Sequence, residues 1–215
     1  MENKSNSKIF DYRALRLLMG LIALCLPFIV SFVASNTLTS ISASYHSEAR
    51  DVFVGMLFIT SAFLWAYNGH TTLQKVLSKV ASIAAILVAV SPLHCSSCEV
   101  NLASTIHSVS TAVLFSVLSY FCFSPFRKNT KGKGGKKGLR SKIYFVCGSI
   151  MVGCMLTMFI TKYALSNEMR EALRITYYAE AIALCAFGVG WTVAGKWIWF
   201  LVDKEEALQL FTEKH

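Results

Sequence analysis

Six apolar stretches, near 14–36, 51–68, 74–92, 105–126, 142–164 and 177–201, set what this chain can fold into. A hydrocarbon core about 30 Å thick takes about 20 apolar residues per helix, and each stretch approaches that length. With 54% hydrophobic residues, 15% charged residues and a mean hydropathy of +0.51, the chain is far more apolar than a soluble domain of its size. The expectation is an all-α polytopic membrane protein, a single transmembrane domain over 1–215 built as a six-helix bundle. The third stretch is the weakest, because Lys75 and Lys79 fall in its first turns and must snorkel to the interface. The first follows a polar N-terminal segment, is too long for a signal-peptide core, and reads as a retained helix.

Sidedness follows from the basic run Arg127 to Lys142, which lies between the fourth and fifth stretches. Basic connections stay on the cytoplasmic side. The N-terminus with Lys4, Lys8, Arg13 and Arg16, the turn at 69–79 and the tail after Lys196 then also lie inside. The connections 37–50, 93–104 and 165–176, poor in basic residues, lie outside. The expected location is the inner (plasma) membrane with both termini cytoplasmic. Much of the formal charge of +9 sits in the 127–142 loop, so orientation explains it without a nucleic-acid partner. The partners expected are membrane lipids, with anionic headgroups at that loop; a homo-oligomer is compatible with the pattern. The Gly/Lys-rich loop is expected to be flexible, and the tail from Asp203 to extend the last helix. Trp197, Trp199 and Phe200 suit an interfacial aromatic belt, with Trp191 either in it or packed internally.

Ionisable groups in or at the ends of spans are costly unless paired or hydrated, which makes them the first candidates for function. On the expected topology Asp51, His107, Lys162 and Glu180 all belong to the outer half, with His46, Arg50 and Arg174 in adjoining loops. Glu180 is the strongest, because its neighbours Tyr-Tyr-Ala and Ala-Ile-Ala offer no local partner. It needs Lys162, Arg50, Arg174 or His107 across the bundle, or a proton. A packing role, as an interhelical hydrogen bond or ion pair, weighs evenly against a functional one. Asp51, at a helix start, suits N-capping or the helix dipole, and Arg50 suits Glu180 or a lipid phosphate.

His46, Asp51 and His107, with His94, Cys95 and Cys98, raise a metal reading, but no His-x-x-x-His or His-Glu-x-x-His pair accompanies them. Cys95 and Cys98, in the outer connection, suit a structural disulfide better than a catalytic dithiol. Cys25, Cys122, Cys147, Cys154 and Cys185 read as small packing residues, and Gly148, Gly153, Gly188, Gly190 and Gly195 as sites of close helix approach. No motif calls for a cofactor.

The segments Ser40-Ile-Ser-Ala-Ser-Tyr, Arg50-Asp-Val-Phe-Val-Gly, Ile106-His107, Ile143-Tyr-x-x-Cys147-Gly148 and Glu180-Ala-Ile-Ala-Leu-x-Ala-Phe-Gly188 resemble a family of uncharacterised bacterial six-helix inner-membrane proteins. The resemblance covers most of the chain, implies a six-helix bundle and supplies no activity. Ser42-x-x-x-His46 with Asp51 is also similar to the first part of the metal site in the CREST superfamily of membrane hydrolases. The late His-x-x-x-His of that pattern is missing from the last stretch, which carries Glu180 instead.

These residues together predict an outward-facing polar pocket of Arg50, Asp51, His107, Lys162 and Glu180 that binds or moves a small polar solute or a lipid headgroup. The alternatives are a metal-dependent lipid hydrolase using His46, Asp51 and His107, and a structural or assembly role. The absence of a complete catalytic set favours binding over catalysis.

Overall fold

The computed structural model describes residues 12–92 and 102–202. Among them the chain is all helical: α1 (Tyr12–Val33), α2 (Arg50–Ala66), α3 (Thr72–Val90), α4 (Leu102–Phe123), α5 (Gly135–Ala164), a short α6 (Asn167–Ala172) and α7 (Ile175–Ala194). Five of these, α1, α3, α4, α5 and α7, are long and apolar enough to cross a membrane. Of the six expected spans the second, α2, is not among them: its 17 residues span about 25 Å at 1.5 Å per residue. The third stretch, α3, weakest by sequence, is among the five. Its Lys79 reaches back to Asn68 Oδ1 at 3.4 Å and lies over the Trp65 ring, 5.0 Å from its centroid. The ammonium is thereby drawn to the helix end while the stem covers apolar surface.

Local chemistry fixes several boundaries. Thr71 caps α3 by accepting the Gln74 N–H at 3.2 Å, and Gln74 Oε1 in turn accepts the His70 N–H at 2.8 Å, a variant of the reciprocal capping box. Two boundaries depart from the sequence reading. The Gly/Lys-rich loop is more ordered than expected: α5 begins at Gly135 rather than 142. Lysine is a good helix former, and the turn is held by Arg127 Nε donating to Ser141 Oγ at 3.3 Å and Lys136 Nζ donating to Val202 O at 2.9 Å. The last helix stops at Ala194 rather than 201, because Lys196 takes a left-handed φ of 58°. A separate single turn follows at Trp199–Leu201, and the tail from Asp203 lies outside the described residues.

Helices consecutive in the chain pack side by side, α1 on α2, α2 on α3, α3 on α4 and α4 on α5. Then α5 packs on α7 and α7 returns to α1, closing a ring. The closing seam is the tightest. A Cβ added to Gly20 would lie 2.8 Å from Gly188 O, and one added to Gly188 would lie 2.8 Å from Gly20 O and 2.6 Å from Leu24 Cγ. Only hydrogen fits at either position, so the two backbones touch and gain dispersion contact where lipid supplies no hydrophobic drive. Gly20 is absent from the glycines the sequence singled out; Gly188 is among them.

Where this seam meets the start of α1, the carbonyls at and just beyond the end of α7, which have no intrahelical donors, are taken by arginines of α1. Arg13 Nε donates to Gly195 O at 3.2 Å and its Nη2 to Lys196 O at 3.1 Å. Arg16 Nη1 donates to Ala194 O at 3.1 Å, and its Nη2 to Tyr67 Oη at 2.7 Å. Beneath them Trp191 is fully buried, with the rings of Tyr67, Phe121, Phe126 and Phe187 between 5.2 and 5.6 Å away. Of the two positions open to Trp191, the internal one holds; Trp197, Trp199 and Phe200 are exposed.

The seam is testable. Gly188→Ala should destabilise by about 1–3 kcal/mol through overpacking, lowering the midpoint of thermal denaturation in detergent. Gly55→Ala, at a helical glycine with nothing within 4 Å, should be neutral or stabilise by up to about 1 kcal/mol. Equal midpoints for the two variants would contradict the close crossing.

Candidate functional site

The end of the ring opposite Arg13 and Arg16 is closed by the connection 34–49. It turns inward, forms a single 3₁₀ turn at Ser42–His46 and buries Leu38, Ser40, Ile41, Ser42, Ser44 and Ala49. The first turns of α7 hold it down. Arg174 Nε donates to Leu38 O at 2.9 Å, the Tyr177 N–H donates to Thr39 O at 3.1 Å, and Tyr177 Oη shares a 2.7 Å hydrogen bond with Ser31 Oγ. One turn further along α7 is Glu180, 7% exposed. Ser42 reaches both its oxygens: the Ser42 N–H donates to Oε2 and Ser42 Oγ to Oε1, each at 3.1 Å. The start of a 3₁₀ turn leaves the Ser42 N–H without a partner inside the turn, and the carboxylate supplies one.

Below this pair lies a cavity of about 50 Å³ between α1, α2, α3, α4 and α7. One water needs about 10–15 Å³ on the same measure. Its wall is aliphatic and aromatic apart from Ser42, Thr60, Thr111 and Glu180. The Thr60 hydroxyl donates to Met56 O at 2.9 Å within its own helix. Thr111 Oγ1 is buried and has no hydrogen-bond partner among the described residues. Glu180 with Ser42 and, from α4, Thr111 are therefore the polar groups this cavity offers an occupant.

Of the residues the sequence singled out, Glu180 alone borders the cavity. His107 is buried at 2% exposure, four residues before Thr111 and so on the same face of α4. Its Nδ1–H donates to Ser91 O at 2.8 Å, and its Nε2 is buried with no partner among the described residues. Arg50, Asp51 and Lys162 are exposed. Arg50 lies over the Tyr45 ring at 4.5 Å and donates to Tyr45 Oη at 3.0 Å. Asp51 occupies the first turn of α2, where the dipole favours it. It does not cap the helix: Ala49 holds that position without a side-chain bond. None of Lys162, Arg50, Arg174 and His107, the four partners proposed for Glu180, is paired with it among the described residues.

His46 is exposed and stacks edge-on against Tyr45, 5.4 Å between ring centres. Among the described residues no three His, Cys, Asp or Glu side chains gather where they could hold a metal. His94, Cys95 and Cys98 lie outside the described residues. Sequence reasoning missed Ser42 as the partner of Glu180, and Thr111. The latter was reachable, since it continues the His107 face by one turn. Comparison with family models, curated proteins and solved structures found no match to this chain.

The connection 34–49 is open to two tests. Ser42→Ala removes one charge-assisted hydrogen bond, worth about 1.5–3 kcal/mol. Amide hydrogen exchange over 38–47 should accelerate by about ten- to a hundredfold, while the Gly20–Gly188 seam stays protected; uniform acceleration would argue against a local latch. At the surface, Glu48 is held below the usual glutamate range by its own backbone N–H and by that of Ser35, which donates to Oε2 at 3.2 Å. A depressed folded pKa contributes stability that is present above the unfolded value and lost as pH falls through the folded one. Protease sensitivity of 34–49 should therefore rise on acidification below the ordinary glutamate range, and Glu48→Gln should remove that dependence.

Proposed function

We propose that this is an inner-membrane protein that crosses the bilayer six times with both termini in the cytoplasm. In this reading it binds a small amphipathic molecule, a polar solute or a lipid headgroup, in the cavity under the 34–49 connection. One observation carries the binding reading. Glu180, the buried acidic side chain among the described residues, stands at the polar end of an otherwise apolar cavity and has no cationic partner there. Carboxylates inside membranes are expensive and mark sites by default. For the topology, α2 with 17 residues lies at the lower end of the spanning range. Arg13, Arg16, Lys79 and Arg127 belong to helix ends and connections on the side opposite Glu180, as the positive-inside bias requires.

A structural reading has its own support, because Ser42 already satisfies both oxygens of Glu180. The two separate on one variant. If the site binds, Glu180→Gln leaves a folded protein and abolishes the thermal stabilisation that lipids or polar solutes confer on the parent. If it only packs, the variant loses stability and the parent shows no ligand-dependent shift with any compound of the series. Reporter fusions within 128–133 and after 202 test the topology; an external signal from either would reject it.

A further inference from the structure

We infer that the molecule this cavity accepts is a small organic cation of the alkylammonium class; the inference rests on the binding reading above and adds the sign of the charge. Glu180 receives two hydrogen bonds from Ser42, a neutral residue, so they satisfy lone pairs without supplying an opposite charge. The cations at this end are engaged elsewhere. Arg174 donates to Leu38 O and lies over the Tyr177 ring at 4.1 Å, while Arg50 is exposed against Tyr45. A carboxylate in a low-dielectric site attracts a cation strongly and repels an anion to the same degree.

The rest of the wall matches such a guest. Phe53, Phe115 and Phe187 line the same cavity, and aromatic rings attract ammonium groups while packing well against alkyl chains. Thr111 Oγ1, buried and without a partner among the described residues, supplies an acceptor for a second N–H. An ammonium has three donors and no acceptor, which suits a carboxylate and a hydroxyl oxygen. A phosphate or carboxylate guest would bring acceptors to a site whose strongest group is itself an acceptor. The cavity of about 50 Å³ limits the guest buried in it to one or two carbons beside the ammonium group.

The experiment uses the full chain purified in an uncharged detergent, with methylammonium chloride, methanol and sodium formate as one-carbon probes of three charges, and sodium chloride as the salt control. Thermal denaturation and calorimetric titration are the readouts. Saturable stabilisation by methylammonium alone is expected. Binding should weaken about a hundredfold in Glu180→Gln, the cost of leaving a charge unpaired in a buried site. Should that variant fail to fold, Phe115→Leu keeps the test open, because it should weaken methylammonium and leave methanol unaffected. Equal binding of methanol and methylammonium, with no effect of Glu180→Gln, would overturn the cationic assignment and leave the binding reading standing. Preference for formate would reverse the assignment. No stabilisation by these probes or by any lipid or solute of the wider series would remove the binding reading itself.

Discussion

The ring depends on one contact, the crossing of α1 and α7 at Gly20 and Gly188. The other helices are joined to their neighbours by the chain, and short connections make consecutive helices adjacent almost automatically. Nothing covalent brings the first helix to the last. Between apolar surfaces in lipid the hydrophobic effect contributes little, so closure requires shape: two positions without side chains facing each other, allowing backbone to meet backbone. The arginines of α1 add direction to that contact. By donating to the carbonyls of Ala194, Gly195 and Lys196 they join the helix ends that the glycine crossing brings together.

The two ends of the seam are built from opposite chemistry. At the end that carries Arg13 and Arg16, guanidinium groups meet carbonyl oxygens and ring faces, and Trp191 fills the space beneath. At the opposite end a carboxylate meets a backbone N–H and a hydroxyl, and the space beneath is not filled. Dense aromatic packing thus marks one end, and an open volume the other, which is where the proposed binding reading places its guest. The connection 34–49 is held both by individually modest hydrogen bonds to α7 and by the burial of Leu38, Ile41 and Ala49 in an apolar cluster with Leu26, Val30, Phe53 and Val88.

Much of the architecture was legible in the sequence because hydropathy is a local property. Runs of apolar residues of the right length become helices wherever they are, and all six stretches have a helical counterpart. The boundaries were less legible. The start of α5 inside the Gly/Lys-rich run depends on Arg127 and Lys136 finding partners at Ser141 and Val202, and the early end of α7 depends on arginines from the other end of the chain. At the site, Glu180 stood out as a carboxylate amid alanines and aromatics. Its partner did not, because the donors are a backbone N–H and one serine among many, 138 residues away. Charge complementarity pointed instead to Lys162 and Arg50, but these long side chains are exposed, as groups better hydrated at an interface than in hydrocarbon tend to be.

By itself the order of apolar stretches determined that the described chain is helical and apolar enough to cross a membrane, and the residue types singled out one buried carboxylate. The tertiary structure decided which helix closes the ring, that Glu180 is met by Ser42 rather than by a cation, and that Arg50, Asp51 and Lys162 are exposed while His107 is buried. The division has a physical reason. Transfer from water to hydrocarbon is approximately a sum over residues and can be read along the chain. Close packing and hydrogen bonding depend on the shapes of surfaces distant in sequence, which no single segment contains.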